Sequence, residues 1–142
     1  MSRHPGRSLS LALAMLVGVA LPALASAADP ATPPPANYKK VSSLVALPDF
    51  IPGLGTLYVD PKTLPVGPFL AYDREGKLAG SIYMVPVKDL EAKKAFNDLT
   101  VAKEKVDHVD LYYNAGHPGV AEPHYHIAIW YVSADQVARL KQ

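Results

Sequence analysis

Residues 123 to 132 read Pro-His-Tyr-His-Ile-Ala-Ile-Trp-Tyr-Val, and this run restricts the fold more than any other part of the chain. Side chains alternate between the two faces of a strand. Tyr125, Ile127, Ile129 and Tyr131 therefore share one face, and His124, His126, Ala128 and Trp130 the other. Residues 105 to 113 have the same period, with Val109, Leu111 and Tyr113 set against His108, Asp110 and Tyr112. The Gly/Pro-bearing loop between them, centred near His117 and Pro118, is too short for a parallel crossover, so an antiparallel hairpin is expected. Each strand then has an apolar face and a face carrying ionisable groups.

Other stretches extend the pattern. Residues 41 to 47, 54 to 60, 67 to 73 and 78 to 85 read as further short strands. Leu78, Ile82 and Met84 fall on one face of the last. Asp73 and Gly76 suit a hairpin turn, because Asp opens a type I turn and Gly supplies the positive φ that closes it. The Pro-Gly-Leu-Gly at 52 to 55 lacks the third Gly and the Lys-Ser/Thr of a phosphate loop and reads as a turn. The period changes in 86 to 99. Ala92, Ala95, Phe96 and Leu99 lie on one helical face, so a crossing helix near 87 to 99 is expected. Ser133 and Gln136 have capping-box spacing before a short C-terminal helix. The expected class is α+β: a mainly antiparallel sheet, as a sandwich or partly open barrel, with one crossing helix and a short C-terminal helix.

The N-terminus reads as a targeting segment. Arg3 and Arg7 precede an apolar run from Leu11 to Leu21, and Ala25-Ser26-Ala27 offers a cleavage site, so residues 1 to 27 are expected to be a signal peptide. The run is shorter than the ~20 residues of a membrane-spanning helix and ends at Pro22. A periplasmic or secreted protein without stable membrane insertion follows. Pro30, Pro33, Pro34 and Pro35 make 28 to 40 an extended tether, and 41 to 142 a single domain. Of 14 basic residues Arg3 and Arg7 leave with the signal, so 12 stand against 13 acidic ones. That balance offers nothing to nucleic acid. With no Cys, neither a disulfide framework nor a thiolate metal site is available. Oligomeric state is not readable from the sequence.

The chain has five histidines, and every one after residue 27 lies between 108 and 126. A hairpin register pairing Tyr112 with His124 and Asp110 with His126 brings the apolar faces together. So does a shift that sets Asp110 against His124 and His108 against His126. Either way His108, Asp110, His124 and His126 form one patch, with His117 within reach from the loop. Neutral imidazoles and a carboxylate are donors suited to a divalent transition metal such as Zn, Cu, Ni or Fe. Three protein ligands leave a coordination position open for water, and four close the site. Tyr112 or Glu122 would serve as an outer hydrogen-bond partner or proton carrier. The plainer reading is a solvent-facing polar side of a sheet, its histidines stacked on Trp130.

Gly116-His117-Pro118 and Pro123-His124-Tyr125 carry a resemblance. The sequence resembles a family of small secreted bacterial domains that show Gly-His-Pro, a short spacer and Pro-His-aromatic before a final strand. The likeness spans about 44 to 133, with Gly-Thr-Leu-Tyr-Val-Asp at 55 to 60 as a second anchor. Some members carry Asp and a further His at alternate positions after the first His, where this chain has His126 and Ala128. The resemblance implies a secreted mixed β domain and no particular activity. Three functions remain open: an exported metal-binding domain, a cupin-like metal-dependent hydrolase or oxygenase, and a non-catalytic module binding a small molecule or protein. A concave pocket beside an open coordination position would favour the second, and a flat exposed histidine face the third.

Overall fold

The computed structural model describes residues 33 to 142. The expected signal peptide and the start of the tether lie outside them. Six strands form one antiparallel sheet: β1 (Lys39–Lys40), β2 (Thr56–Val59), β3 (Phe69–Tyr72), β4 (Leu78–Pro86), β5 (His108–Asn114) and β6 (His124–Trp130). Their order is β1-β2-β3-β4-β6-β5, and the sheet does not close. Two short helices, α1 (Val87–Glu91) and α2 (Ala134–Arg139), complete the expected α+β class. No second sheet occurs among the described residues, so of the two arrangements foreseen the sandwich does not form; the strands make one open sheet. No helix among them is long and apolar enough to cross a membrane.

The central strand β4 is buried along nearly its whole length, because chain covers it on both faces. One face carries the main core of Leu57, Val59, Phe69, Ile82, Met84 and Trp130. The segment after β1 packs there through Val41, Val45 and Ile51, α2 contributes Val137, and Leu140 just after the helix joins them. On the other face the Tyr83 hydroxyl donates to the Thr100 carbonyl. The Tyr131 hydroxyl accepts from the Ala102 amide at 3.1 Å and donates to Ser81 Oγ at 2.8 Å. These bonds tie residues 100 to 102 across the second face.

That tie helps explain why the crossing helix is short. It ends at Glu91, well before Leu99. Lys93 takes a positive φ of 56°, with its amide on the Leu90 carbonyl and that of Lys94 on the Asp89 carbonyl, both at 2.9 Å. This pair of bonds is a Schellman ending with lysine in the place glycine usually fills. Of the expected apolar face, Ala92, Ala95 and Leu99 are exposed and Phe96 is half-buried. An amphipathic helix draws most of its stability from packing, and this face has little to pack on.

The N-terminal expectations shift too. Residues 41 to 47 do not form a strand. Val41–Ser43 is a single 3-10 turn, and the first strand is Lys39–Lys40, at the end of the expected tether. It pairs with Tyr58 and Val59. The Asp73 turn is as foreseen, with Asp73 Oδ1 accepting from the amides of Glu75 at 3.0 Å and Lys77 at 2.8 Å. The Ser133–Gln136 capping box opens α2.

Burial of the last hairpin is the reverse of what its composition suggests. His124 and His126 are 0 % and 4 % exposed, whereas Val109 and Leu111 are 55 % and 67 % exposed. β6 lies between β4 and β5, and its His-Ala-Trp face continues the main core. β5 is the edge strand, and its Val-Leu-Tyr face meets solvent.

Candidate metal centre

A tight turn sets the site. Pro118 and Gly119 lie between His117 and Val120, whose backbones exchange hydrogen bonds of 2.9 and 3.0 Å. Pro at the first central position and Gly, at φ 89°, in the second are the choices a type II turn favours. The ladder then pairs Asn114 with His124, Tyr112 with His126, Asp110 with Ala128 and His108 with Trp130. This is neither register foreseen from the sequence; it is displaced by two residues from the nearer one. The turn pairs His117 with Val120, and one extra residue on the β6 side, three between Val120 and His124 against two between Asn114 and His117, carries that pairing into the register of the ladder.

The register separates the five candidate residues. His117, His124 and His126 converge, each offering a ligand nitrogen within 4.8 Å of the others. Their ring centroids are 4.9 Å apart for His117–His124 and His124–His126, and 5.7 Å for His117–His126. His108 and Asp110 do not join them. Asp110 is level with Ala128 and His108 with Trp130, respectively about 7 and about 13 Å further along the strand than His126 at ~3.3 Å per residue. They have other partners. Asp110 Oδ2 accepts the Trp130 indole N–H at 2.9 Å, and His108 Nδ1 bonds Asp107 Oδ1 at 2.8 Å.

The outer contacts hold the rings in a form suited to a cation. A carbonyl oxygen only accepts, so His124 Nδ1–H donates to Glu122 O at 2.7 Å and His117 Nδ1–H to Pro118 O at 3.0 Å. In the neutral ring each then has a bare lone pair on Nε2. His126 Nδ1 is 3.0 Å from the Tyr112 hydroxyl, and its Nε2 is 3.0 Å from His124 Nε2. Because His124 Nε2 accepts, His126 Nε2 carries the proton of that bond and Tyr112 donates to Nδ1. Moving the His126 proton to Nδ1, with Tyr112 now accepting, would bare the third Nε2. A hydroxyl can do either. Burial, then the neighbouring His124 and His117, push the His126 imidazole down to about 4, so it is neutral near pH 7. Burial, with the Asp110 carboxylate, raises the Tyr112 phenol above its usual range and keeps its proton on.

Three imidazoles, each with Nδ1 held by an oxygen, make a half-shell for one divalent ion. Two nitrogens on a tetrahedral zinc stand about 3.4 Å apart, close to the separation of the two Nε2 atoms. Of the outer partners foreseen, Tyr112 contributes its hydroxyl. Glu122 contributes its backbone carbonyl, while its carboxylate is 2.6 Å from Lys88 Nζ. The Pro118 carbonyl was not foreseen. The Pro-Gly turn was the available signal for it.

His117 and His126 also line one end of a cavity of about 310 Å³ between the sheet and residues 41 to 54. The histidine face is therefore neither flat nor exposed.

No family model matches the chain, and no curated protein does. Among solved structures, the chain is similar to the hypothetical protein TTHB210 from Thermus thermophilus. They share 48% identity over 67% of this chain and 93% of that one, with a TM-score of 0.58.

Proposed function

This chain belongs to the family of Thermus thermophilus TTHB210, and from that footing we propose that it is an exported metal-binding domain. His117, His124 and His126 hold a single divalent transition-metal ion. The observation that carries the reading is the convergence of three ring nitrogens within 4.8 Å, in rings whose Nδ1 atoms all have oxygen partners. Zinc suits the set best, because it accepts imidazole nitrogens in a four-coordinate shell without redox demands; copper, nickel and iron share the donor preference. Gly116-His117-Pro118 and Pro123-His124-Tyr125 are, in this reading, the ligand-bearing motif of the small secreted domains that the sequence resembles. Export rests on the charged and apolar character of residues 1 to 27.

Metal analysis of untagged protein tests the proposal. One ion per chain is expected, lost in the His124→Ala/His126→Ala double variant and kept in His108→Ala. Zinc at a hundredfold excess over Kd should stabilise the wild type by about 2.7 kcal/mol and leave the double variant unmoved. Equal stabilisation of both would refute the site.

The cavity favours a second reading, a metal-dependent hydrolase or oxygenase. Three protein ligands leave a fourth position for water, and a concave space adjoins two of them. Any likeness to cupins would lie in this chemistry alone, since those folds use two sheets.

A further inference from the structure

The cavity beside the histidines has a chemical character of its own. Its floor is the main sheet face, through Leu57, Phe69 and Met84, and its roof is the segment after β1, through Val45 and Leu54. The hairpin tip closes one end, with Pro118, Gly119 and Val120. A Cβ on Gly119 would approach Val45 Cγ1 to 3.0 Å, so tip and roof are in close contact. Among the described residues no charged side chain lines the space, and its polar groups, Asn114, His117 and His126, are those of the hairpin. Asn114 Oδ1 accepts from the Gly116 amide at 2.9 Å, which leaves the Asn114 amide N–H₂ as its donor.

Protein cores are packed to crystal-like density, and voids larger than a water are few. A space this large with such walls lies at the lower end of the range for small-molecule sites, which are mostly apolar with a few polar groups that fix orientation. Its lining excludes sugars, nucleotides and other densely polar or phosphorylated molecules, whose polar groups would be buried without partners.

We propose that this cavity binds a small hydrocarbon-rich carboxylic acid, its tail between sheet and roof and its carboxylate directed at the histidine end. The carboxylate half rests on the metal reading above: an oxygen donor fills the position that three histidines leave open, with the Asn114 amide beside it. The tail half rests on the apolar walls alone.

Binding of decanoic acid and 1-decanol, measured by calorimetry on wild type loaded with zinc and on wild type stripped with EDTA, separates the two. Val45→Phe and Leu54→Phe each fill the cavity from the roof and touch no histidine. An unchanged zinc content in each shows that fold and centre are intact. The expected result is decanoic acid binding to the zinc form, weakened at least tenfold by EDTA and by either roof variant. 1-Decanol should depend on the roof and less on zinc. If zinc binds and neither compound does, or if the roof variants bind decanoic acid as the wild type does, the inference is overturned while the metal centre stands. If zinc does not bind but 1-decanol does, and the roof variants abolish it, the metal reading and the carboxylate half fail and the apolar tail site is upheld.

Discussion

Acid should weaken the metal-free protein through one ring. Burial, His124 and His117 hold the His126 imidazole down to about 4, against ~6.5 in an unfolded chain. Between those values the unfolded chain binds a proton that the folded chain refuses. The stability contribution is therefore complete above about pH 6.5, falls as pH drops, and is gone once pH has passed below about 4. At 1.36 kcal/mol per tenfold, the gap corresponds to roughly 3 kcal/mol, and screening by nearby solvent brings the expected loss to about 2 kcal/mol. The assay is urea denaturation in EDTA from about pH 7 to about pH 4.5, comparing wild type with His126→Gln. The variant cannot take up a proton at this position, so the carboxylates that titrate in both proteins cancel in the difference. Wild type should lose about 2 kcal/mol more than the variant across that range. Parallel stability curves would refute the argument that the fold keeps this ring neutral, and with it the claim that its lone pair is ready for a cation.

Other substitutions probe the surrounding structure. Tyr112→Phe removes the hydroxyl bonded to His126 Nδ1 and should weaken zinc affinity about 10- to 100-fold in a chelator competition, with one ion still bound per chain at saturation. Gly80→Ala would place a Cβ 2.7 Å from Trp130 Cε3 and 2.9 Å from the Ile129 carbonyl oxygen. Backbone on one side gives no relief, so urea denaturation should show a loss of about 2–3 kcal/mol. Ser133→Ala opens the capping box of α2 and should cost about 1 kcal/mol in the same assay, without changing zinc content.

Much of the hairpin was legible from its residues. Period-two alternation marked β5 and β6, and the spacing of histidines marked a donor set. Ser133 and Gln136 announced α2. The polarity of the two faces misled, because hydrophobicity alone does not say which side of a central strand is covered. Val109 and Leu111 look like core, yet they sit on the edge strand. His124 and His126 look like surface, yet their face continues that of Trp130 and Ala128. Phe96 and Leu99 likewise suggested a helix that finds too little to rest on.

By itself the sequence determined an antiparallel α+β domain with its imidazoles gathered in one hairpin, because alternation, turn residues and caps are local signals that need no distant partner. Only the tertiary structure decided which donors meet. The Pro118–Gly119 turn and the extra residue between it and β6 set the register two residues from the nearer one foreseen, so that His117, His124 and His126 share a point while Asp110 serves Trp130 and His108 serves Asp107. The apolar cavity beside them is set by the chain from Val41 to Leu54 folding over the sheet. That is a long-range contact, and a one-dimensional pattern does not encode it.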